Sequence, residues 1–231
     1  GALGPDHLPG HAHGDIFSFE LSLGGRRVIV DSGTYDYVAS EMRAYCRSTA
    51  AHNTVTVDGA DQAEFWAAFR VGRRGRPRDV VHARRDDGFE LSGWHDGFRH
   101  LPGQPVHRRR FRWHDSGVLV VRDEVSAECP VSTTARIHLH PDCRIVESGD
   151  RVVRLAREDV AFTFAVLEGP GPSVADSWYC PRFGVRERNQ VLVLESRAVS
   201  TNFAWAVAKG HDVEVLPQGE GIRAGGRAHA A

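Results

Sequence analysis

The chain of 231 residues lacks any apolar run long enough to span a membrane, and it lacks a basic stretch followed by an apolar one. The first absence predicts no membrane partner. The second predicts that no secretory leader lies within this sequence. Because the chain begins with Gly1 and not with methionine, we interpret it as a piece of a longer protein whose targeting signal lies elsewhere.

An excess of charge of one sign is also missing, since 29 lysines and arginines face 30 aspartates and glutamates. A net charge of −1 exerts no strong field on a polyanion, so we expect no nucleic-acid partner. Recognition of a charged ligand must be local. The arginine-rich stretch 70–78 is either a patch for an anionic polymer or a solvated edge strand and turn, and runs of one sign are commonly just solvated.

Cysteine is scarce and never occurs as a C-x-x-C pair, which excludes a zinc ribbon and a dithiol redox motif. We expect small buried residues at all four positions. One disulfide is compatible with the sequence, and Cys129 and Cys143 are the closest pair along the chain. The four are Cys46, Cys129, Cys143 and Cys180.

Long helical patterns are absent, and short runs of β-branched and aromatic residues recur between Gly, Pro, Asp and Asn breaks from Val80 to Val207. This spacing predicts an all-β fold, a large antiparallel β-sandwich of stacked sheets with no long helices. We expect a single domain over residues 1–210. The Gly- and Ala-rich residues 211–231 are predicted to form a tail that frays.

The first sixty residues hold three islands of chemically capable residues, HAHGD at 11–15, DSG at 31–33 and AHNTV at 51–55. Residues 16–23 alternate as a strand, Gly24-Gly25 forms a turn, and residues 26–30 form the partner strand. Antiparallel pairing then brings His13 close to Asp31, and His52 precedes a third strand. Residues 32–50 show no clear period and are predicted to form a loop or a short helix.

Two histidines and an aspartate are typical zinc ligands, with a fourth position left for water. His11 and His13 are two positions apart, so on a strand they would point to the same side. The residues alone therefore allow a metal site formed by these three islands. They equally allow hydrogen-bonded residues at the end of a sheet.

The stretches HAHGDIFSFEL, RRVIVDSGTYDY and YCRSTAAHNTVTVDGADQAEFW resemble the carboxy-terminal β-domain of the heparinase II/III family of polysaccharide lyases. The match in order and content is specific over residues 1–75. Weaker signals, IHLHP at 137–141 and YCPRFG at 179–184, are compatible with the same domain.

The resemblance implies a role for each residue. His13, Asp31 and His52 would bind a structural zinc, and His11 would face the substrate cleft and assist elimination. A tyrosine between the aspartate and histidine ligands would contribute to the site. Tyr37 is the best positional match and Tyr35 the second, whereas Tyr45 is expected to pack internally.

The resemblance also implies a function: cleavage of an acidic, uronate-containing polysaccharide by β-elimination, in a periplasmic or secreted protein. The family's cleft lies between this β-domain and a preceding helical α/α toroid, which is absent from this sequence and would be the partner domain. We therefore expect the isolated chain to have little or no lyase activity.

Two other functions stay open. One is a non-catalytic carbohydrate-binding or assembly module of exopolysaccharide metabolism, and the other is a glycoside hydrolase, for which Asp15 and Asp36 are available carboxylates. His138 and His140 form a second H-x-H, which we interpret as core or sheet-surface histidines. The five tryptophans are expected to pack in the core or at its rim.

Overall fold

A computed structural model describes residues 3–216 and 221–230. Residues 1, 2, 217–220 and 231, the last five of which belong to the predicted C-terminal tail, lie outside the described residues. The described part holds one α-helix, α1 (Glu41–Arg47), and 3-10 turns at Pro9–His11 and Thr49–Ala51. Its strands are β1 (Leu21–Leu23), β2 (Arg26–Ile29), β3 (Val55–Val57), β4 (Ala63–Trp66), β5 (Arg70–Arg74), β6 (Pro77–Arg85), β7 (Gly88–His95), β8 (Val106–His114), β9 (Val118–His138), β10 (Arg144–Ser148), β11 (Val152–Arg157), β12 (Val160–Glu168), β13 (Ser173–Arg182), β14 (Val185–Lys209), β15 (Val213–Val215), β16 (Gly221–Ala224) and β17 (Arg227–Ala230).

The main sheet has ten strands and is organised by its two longest, β9 and β14, which pair antiparallel along almost their whole length. Their register shifts between Ala198 and Ser200. On one side of this shift the pair is flanked by β8 and β12, and on the other side by β3 and β13. The same two strands therefore serve both parts of the β-sandwich, and the predicted all-β class is confirmed.

One large core fills the space that these strands enclose. It joins residues from both halves of the long pair, such as Ile137 and Leu194 from one half and Val121 and Trp205 from the other. The Trp205 ring is fully buried against Phe164 at 5.4 Å between ring centroids. Burial of apolar surface stabilises the fold by about 25 cal/mol per Å². The packing of these side chains is therefore the main force that holds the sheets together.

The predicted N-terminal hairpin forms, but its first strand is shorter than the alternation indicated. β1 begins at Leu21, and Gly24-Gly25 with φ values of 55° and 79° makes the turn into β2. Residues 16–20 are not a strand, because Phe17 adopts a φ of 60° and breaks the extended run. The hairpin still directs the chain toward Asp31.

Residues 32–50 contain the short helix that was one of the two predicted outcomes. Ser40 caps α1, since its hydroxyl accepts a hydrogen bond from the N–H of Arg43 at 3.1 Å. Glu41 lies in the first turn and Arg47 in the last, as the helix dipole favours. The helix spans only seven residues, and two of its buried side chains, Arg43 and Arg47, donate to Gly10 O and Ala12 O of the N-terminal segment.

The expectation that residues 211–231 fray is wrong for the part that the structure describes. β15, β16 and β17 form a three-stranded antiparallel sheet. Val213 and Ile222 are buried in a second, smaller core with alanines of β14. Gly225 and Gly226, with φ values of 55° and 77°, form the turn between β16 and β17.

The arginine-rich stretch is an edge feature, as one of its two interpretations held. β5 pairs with β4 in a separate two-stranded sheet, and Arg73, Arg74 and Arg78 bond to Gly97 O, Asp6 and Asp96. Across the described residues, no helix has both the length and the apolar character needed to cross a membrane.

Candidate functional site

The loops that carry the three islands are shaped by two glycines. A Cβ on Gly14 would lie 2.3 Å from Thr49 Oγ1, so only glycine lets the HAHGD segment approach the loop after α1. Gly33 has a φ of 72°, and a Cβ there would lie 2.3 Å from the carbonyl oxygen of Cys180. The Gly14 contact thus joins residues 11–15 to the loop after α1, and the Gly33 contact places residues 31–33 against β13.

His11 and Tyr37 contact each other at the surface. Their ring centroids are 5.0 Å apart with an interplanar angle of 79°, and Phe69 closes the group at 6.1 Å from His11 and 5.8 Å from Tyr37. His11 lies in the 3-10 turn and is exposed, and Tyr37 is 40% exposed. Two side chains that can exchange protons therefore lie together where a ligand can reach them.

His13, Asp31 and His52 form a second, deeper group beside that pair. His52 is fully buried, and its Nδ1 lies 2.6 Å from Asp31 Oδ2. The rings of His13 and His52 are 5.2 Å apart between centroids. Asp31 also caps its own loop, since Oδ1 accepts the N–H of Gly33 at 2.9 Å. His13 and Asp31 therefore both lie against His52.

The charges of this group follow from burial and from the Asp31–His52 contact. Burial, together with the nearby charge of His52, lowers the pKa of His13 to about 3, so this imidazole is neutral at pH 7. Burial alone would lower the pKa of His52 and raise that of Asp31. The contact between the two outweighs burial, so the pKa of His52 is raised and that of Asp31 is lowered.

The group has the donor types of a zinc site without forming one as it stands. Among the described residues, no three His, Cys, Asp or Glu side chains are arranged closely enough to hold a metal ion. However, the side chains already lie together, since His52 Nδ1 is 2.6 Å from Asp31 Oδ2, and Nε2 of His52 is buried without a hydrogen-bond partner. A neutral His13 and an ionised Asp31 complete a donor set that fits zinc.

Two buried arginines of α1 support the site, and the sequence pattern did not indicate them. Arg43 is 1% exposed; its guanidinium lies 5.0 Å from the Tyr37 ring centroid and its Nη1 lies 3.5 Å from Nε2 of His13. Arg47 is fully buried and donates to the carbonyl oxygens of Ala12 and Ala67. Their only sequence signal is their spacing, four apart on one face of a short helix.

The sequence matches the Heparinase II/III-like, C-terminal family over residues 1–210. The chain belongs to this family. Comparison with curated proteins finds no matching relative.

Solved structures agree with the fold of this heparinase II/III-like domain. Heparan sulfate lyase HepC from Pedobacter heparinus is 18% identical with a TM-score of 0.71, covering 90% of this chain and 33% of its own. A heparinase III structure is 13% identical with a TM-score of 0.76, covering 98% of this chain and 37% of its own. A heparinase III gene product is 20% identical with a TM-score of 0.71, covering 88% and 33%. The chain thus spans about a third of these proteins, and at such identities the likeness establishes the fold.

Other sequence candidates in the heparinase II/III-like domain have internal partners. The Tyr45 hydroxyl lies 2.6 Å from Ser177 Oγ, as expected of a packed tyrosine. His138 is fully buried between Ser177 and the carbonyl oxygen of Ala50, and burial lowers its pKa to about 4. His140 packs its ring against Tyr179 at 5.4 Å. The second H-x-H is therefore part of the domain's interior.

Two cavities border the N-terminal segment of the heparinase II/III-like domain. A cavity of 240 Å³ is lined by His11, His13 and Asp15, although the two histidines do not lie on a strand as the shared-side expectation assumed. A larger cavity of 580 Å³ is lined by residues 15–21 and mainly by apolar side chains such as Phe111 and Trp113. Of these two cavities, only the smaller is lined by histidines.

Proposed function

We propose that the chain is the β-sandwich part of a polysaccharide lyase that cleaves an acidic, uronate-containing polysaccharide by β-elimination. The proposal rests on one observation above all, the exposed contact between His11 and Tyr37 beside the His13–Asp31–His52 group. Membership of the heparinase II/III-like family supports it. The partner is a helical domain of the same longer protein, and the setting is the periplasm or the cell exterior.

β-Elimination needs two proton transfers and a group that tolerates developing negative charge. A base removes the proton α to the uronate carboxyl, the electron pair forms the ring double bond, and an acid protonates the departing 4-linked oxygen. We assign these transfers to His11 and Tyr37, the two exposed proton-exchanging groups in contact. Arg43 packs over the Tyr37 ring and against His13, so it fixes the tyrosine relative to the deeper group.

His11→Ala and Tyr37→Phe test this assignment in the full-length protein. Each should lower turnover by at least about 100-fold, because general acid–base groups typically contribute that much. The assay uses uronate polysaccharides as substrates and monitors the ultraviolet absorbance of the unsaturated uronate that forms. Tyr35→Phe, in the same loop, is the matched control and should keep its activity, while thermal melts verify that all variants fold.

The outcomes separate the alternatives. Unchanged turnover in His11→Ala contradicts the lyase assignment. Polysaccharide binding with no product in the wild-type protein favours the binding module, and new reducing ends without unsaturated product favour a hydrolase that uses Asp15 or Asp36. The 231-residue chain alone should release little or no product, and robust activity from it would contradict the need for a helical partner.

We further propose that His13, Asp31 and His52 hold a structural zinc ion. Bound there, zinc would supply a fixed positive centre that holds the loops of residues 11–15, 31–33 and 52 together. The close packing of the three side chains carries this part of the proposal, since His52 Nδ1 lies 2.6 Å from Asp31 Oδ2 and the His13 and His52 rings are 5.2 Å apart. Arg43 Nη1, 3.5 Å from His13 Nε2, would have to withdraw if that nitrogen bound the ion.

Elemental analysis of the purified chain tests the zinc. We expect about one zinc per chain, close to none in His52→Ala, and full occupancy in the control His140→Ala, whose ring packs elsewhere. Chelation should lower the melting temperature of the wild-type chain but not that of His52→Ala. A metal-free wild-type chain of undiminished stability would remove the assignment of the three ligands.

A further inference from the structure

Two cysteines far apart in sequence lie side by side in the structure. Cys46 on α1 and Cys180 on β13 are 134 positions apart, and their sulfur atoms are 3.9 Å from each other. Both are buried, at 0% and 3% exposure. The other two thiols are placed differently, since Cys143 Sγ faces the carbonyl oxygen of Val28 and Cys129 is partly exposed beside Gly103.

The backbones that carry these two sulfurs are already held in register. The Tyr45 hydroxyl, next to Cys46, bonds to Ser177 Oγ at 2.6 Å and to the carbonyl oxygen of Trp178 at 3.3 Å. On the other side, the N–H of Cys180 donates to the carbonyl oxygen of Ser32 at 2.7 Å. With contacts on both sides in place, joining the sulfurs requires them to close from 3.9 Å to an S–S bond of about 2 Å.

We propose that Cys46 and Cys180 form a disulfide bond that fastens α1 to β13 behind the loop of Asp31 and Gly33. The reaction is a two-electron oxidation by a small-molecule disulfide such as glutathione disulfide. A cysteine thiolate breaks the S–S bond of the oxidant, and the second cysteine then displaces the mixed disulfide. One protein S–S bond forms, and the two thiol protons leave on two glutathione molecules.

The bond would act on both stability and the site, and it is independent of the proposed lyase function. A cross-link that closes so long a loop restricts the unfolded chain strongly. In the folded chain it would hold Gly33, which pairs with Cys180 through a β-bridge, and thereby the adjacent Asp31. Cys129 and Cys143 are the closest pair in sequence, but the structure does not favour a disulfide bond between them.

The test is oxidative refolding of the 231-residue chain from urea in a glutathione redox buffer, where buried thiols are accessible before folding. We expect the free thiols to fall from four to two and a non-reduced digest to yield one cross-linked peptide joining Cys46 to Cys180. The melting temperature should exceed that of the reduced chain by at least about 5 °C. A Cys129→Ser/Cys143→Ser double variant should behave as wild type.

Cys46→Ser and Cys180→Ser should each lose the cross-link and the difference in melting temperature between oxidising and reducing conditions. If either variant fails to fold, the wild-type digest and the double variant still decide. Four free thiols after refolding, or cross-links that involve Cys129 or Cys143, would overturn the pairing. A Cys46–Cys180 bond that leaves the melting temperature unchanged would overturn its stabilising role.

Discussion

Two buried histidine–aspartate contacts in this molecule have nearly the same length and opposite surroundings. His52 Nδ1 lies 2.6 Å from Asp31 Oδ2, and His107 Nε2 lies 2.7 Å from Asp123 Oδ1. The Asp31 side chain is 30% exposed, whereas that of Asp123 is fully buried. The contact distance alone therefore does not tell a binding site from a scaffold.

The His107–Asp123 contact belongs to a network in which each charged group is hydrogen-bonded to other protein groups. Nδ1 of His107 lies 2.9 Å from His95 Nε2, and Arg109 donates to both oxygens of Asp123 at 2.7 and 2.9 Å. Arg109 also donates to the carbonyl oxygens of Phe17 and Asn53. The Arg109 charge holds the pKa of Asp123 far below its usual range, even though burial opposes this.

The two contacts differ in whether every buried polar atom around them has a hydrogen-bond partner. In the Asp123 network every charged group has hydrogen-bond partners within the protein. A buried charge is tolerated only when it is paired in this way. In the Asp31 group, Nε2 of His52 has no partner. A buried group with spare capacity is the one that a ligand or metal can satisfy.

Asp123→Ala should be the most damaging test of this contrast. It leaves the Arg109 charge buried and without its partner, so the free energy of unfolding should fall by about 3–5 kcal/mol. Asp31→Ala, measured in metal-free buffer by the same urea unfolding, should cost less than about half of that, because Asp31 is partly exposed. Equal losses in the two variants would break the distinction between scaffold and site.

Asn53→Ala tests the residue that connects the two regions. Its buried amide donates to the carbonyl oxygens of Phe19 and Val30 and accepts the N–H of His138. Leaving these groups unpaired should lower the free energy of unfolding by about 3 kcal/mol. It should also weaken the proposed binding of zinc, since His52 is its neighbour. Exposed Asn202→Ala is the matched control, and a loss of similar size there would contradict the argument.

The smallest expected effect is a pH dependence of the scaffold. Burial and the neighbouring charge of His107 hold the pKa of His95 well below its ordinary value, so the folded chain keeps His95 neutral. The unfolded chain takes up this proton as pH falls below about 6.5, so the stability that His95 contributes is present above that pH and lost below it.

His95→Gln should therefore reduce the stability lost between pH 7.5 and 5.5 by about 1 kcal/mol, as measured by urea unfolding at both pH values. The comparison between the two pH values removes any constant cost of the substitution. A pH dependence identical to that of the wild-type chain would show that His95 is not the buried neutral group described here.

Local signals predicted the parts of the fold that depend on neighbouring residues. The Gly24-Gly25 turn and the alternation around it placed His13 beside Asp31. The same turn signal occurs at Gly225-Gly226 with nearly the same φ values, and the Gly- and Ala-rich composition around it led to the wrong expectation of a frayed tail. The predicted strand does not form over residues 16–20, because Phe17 adopts a positive φ. Nothing in the residue preferences of this stretch indicates that conformation.

The scaffold network was beyond reach because it depends on register. His95 pairs with His107 across β7 and β8, and Arg109 pairs with Asp123 across β8 and β9. A shift of one residue in the strand pairing would separate these four side chains. The register of the pairing could not be inferred from one sequence. Arg43 and Arg47 were missed for a related reason, since arginines on a short helix are usually exposed and these two are buried only by tertiary contacts.

The bridge between Gly33 and Cys180 has a consequence for how the chain is made. During synthesis the N-terminal end emerges first, so the loop that holds Asp31 waits for a partner strand that the ribosome delivers much later. The loop of residues 31–33 thus reaches its final form only after β13 has been synthesised.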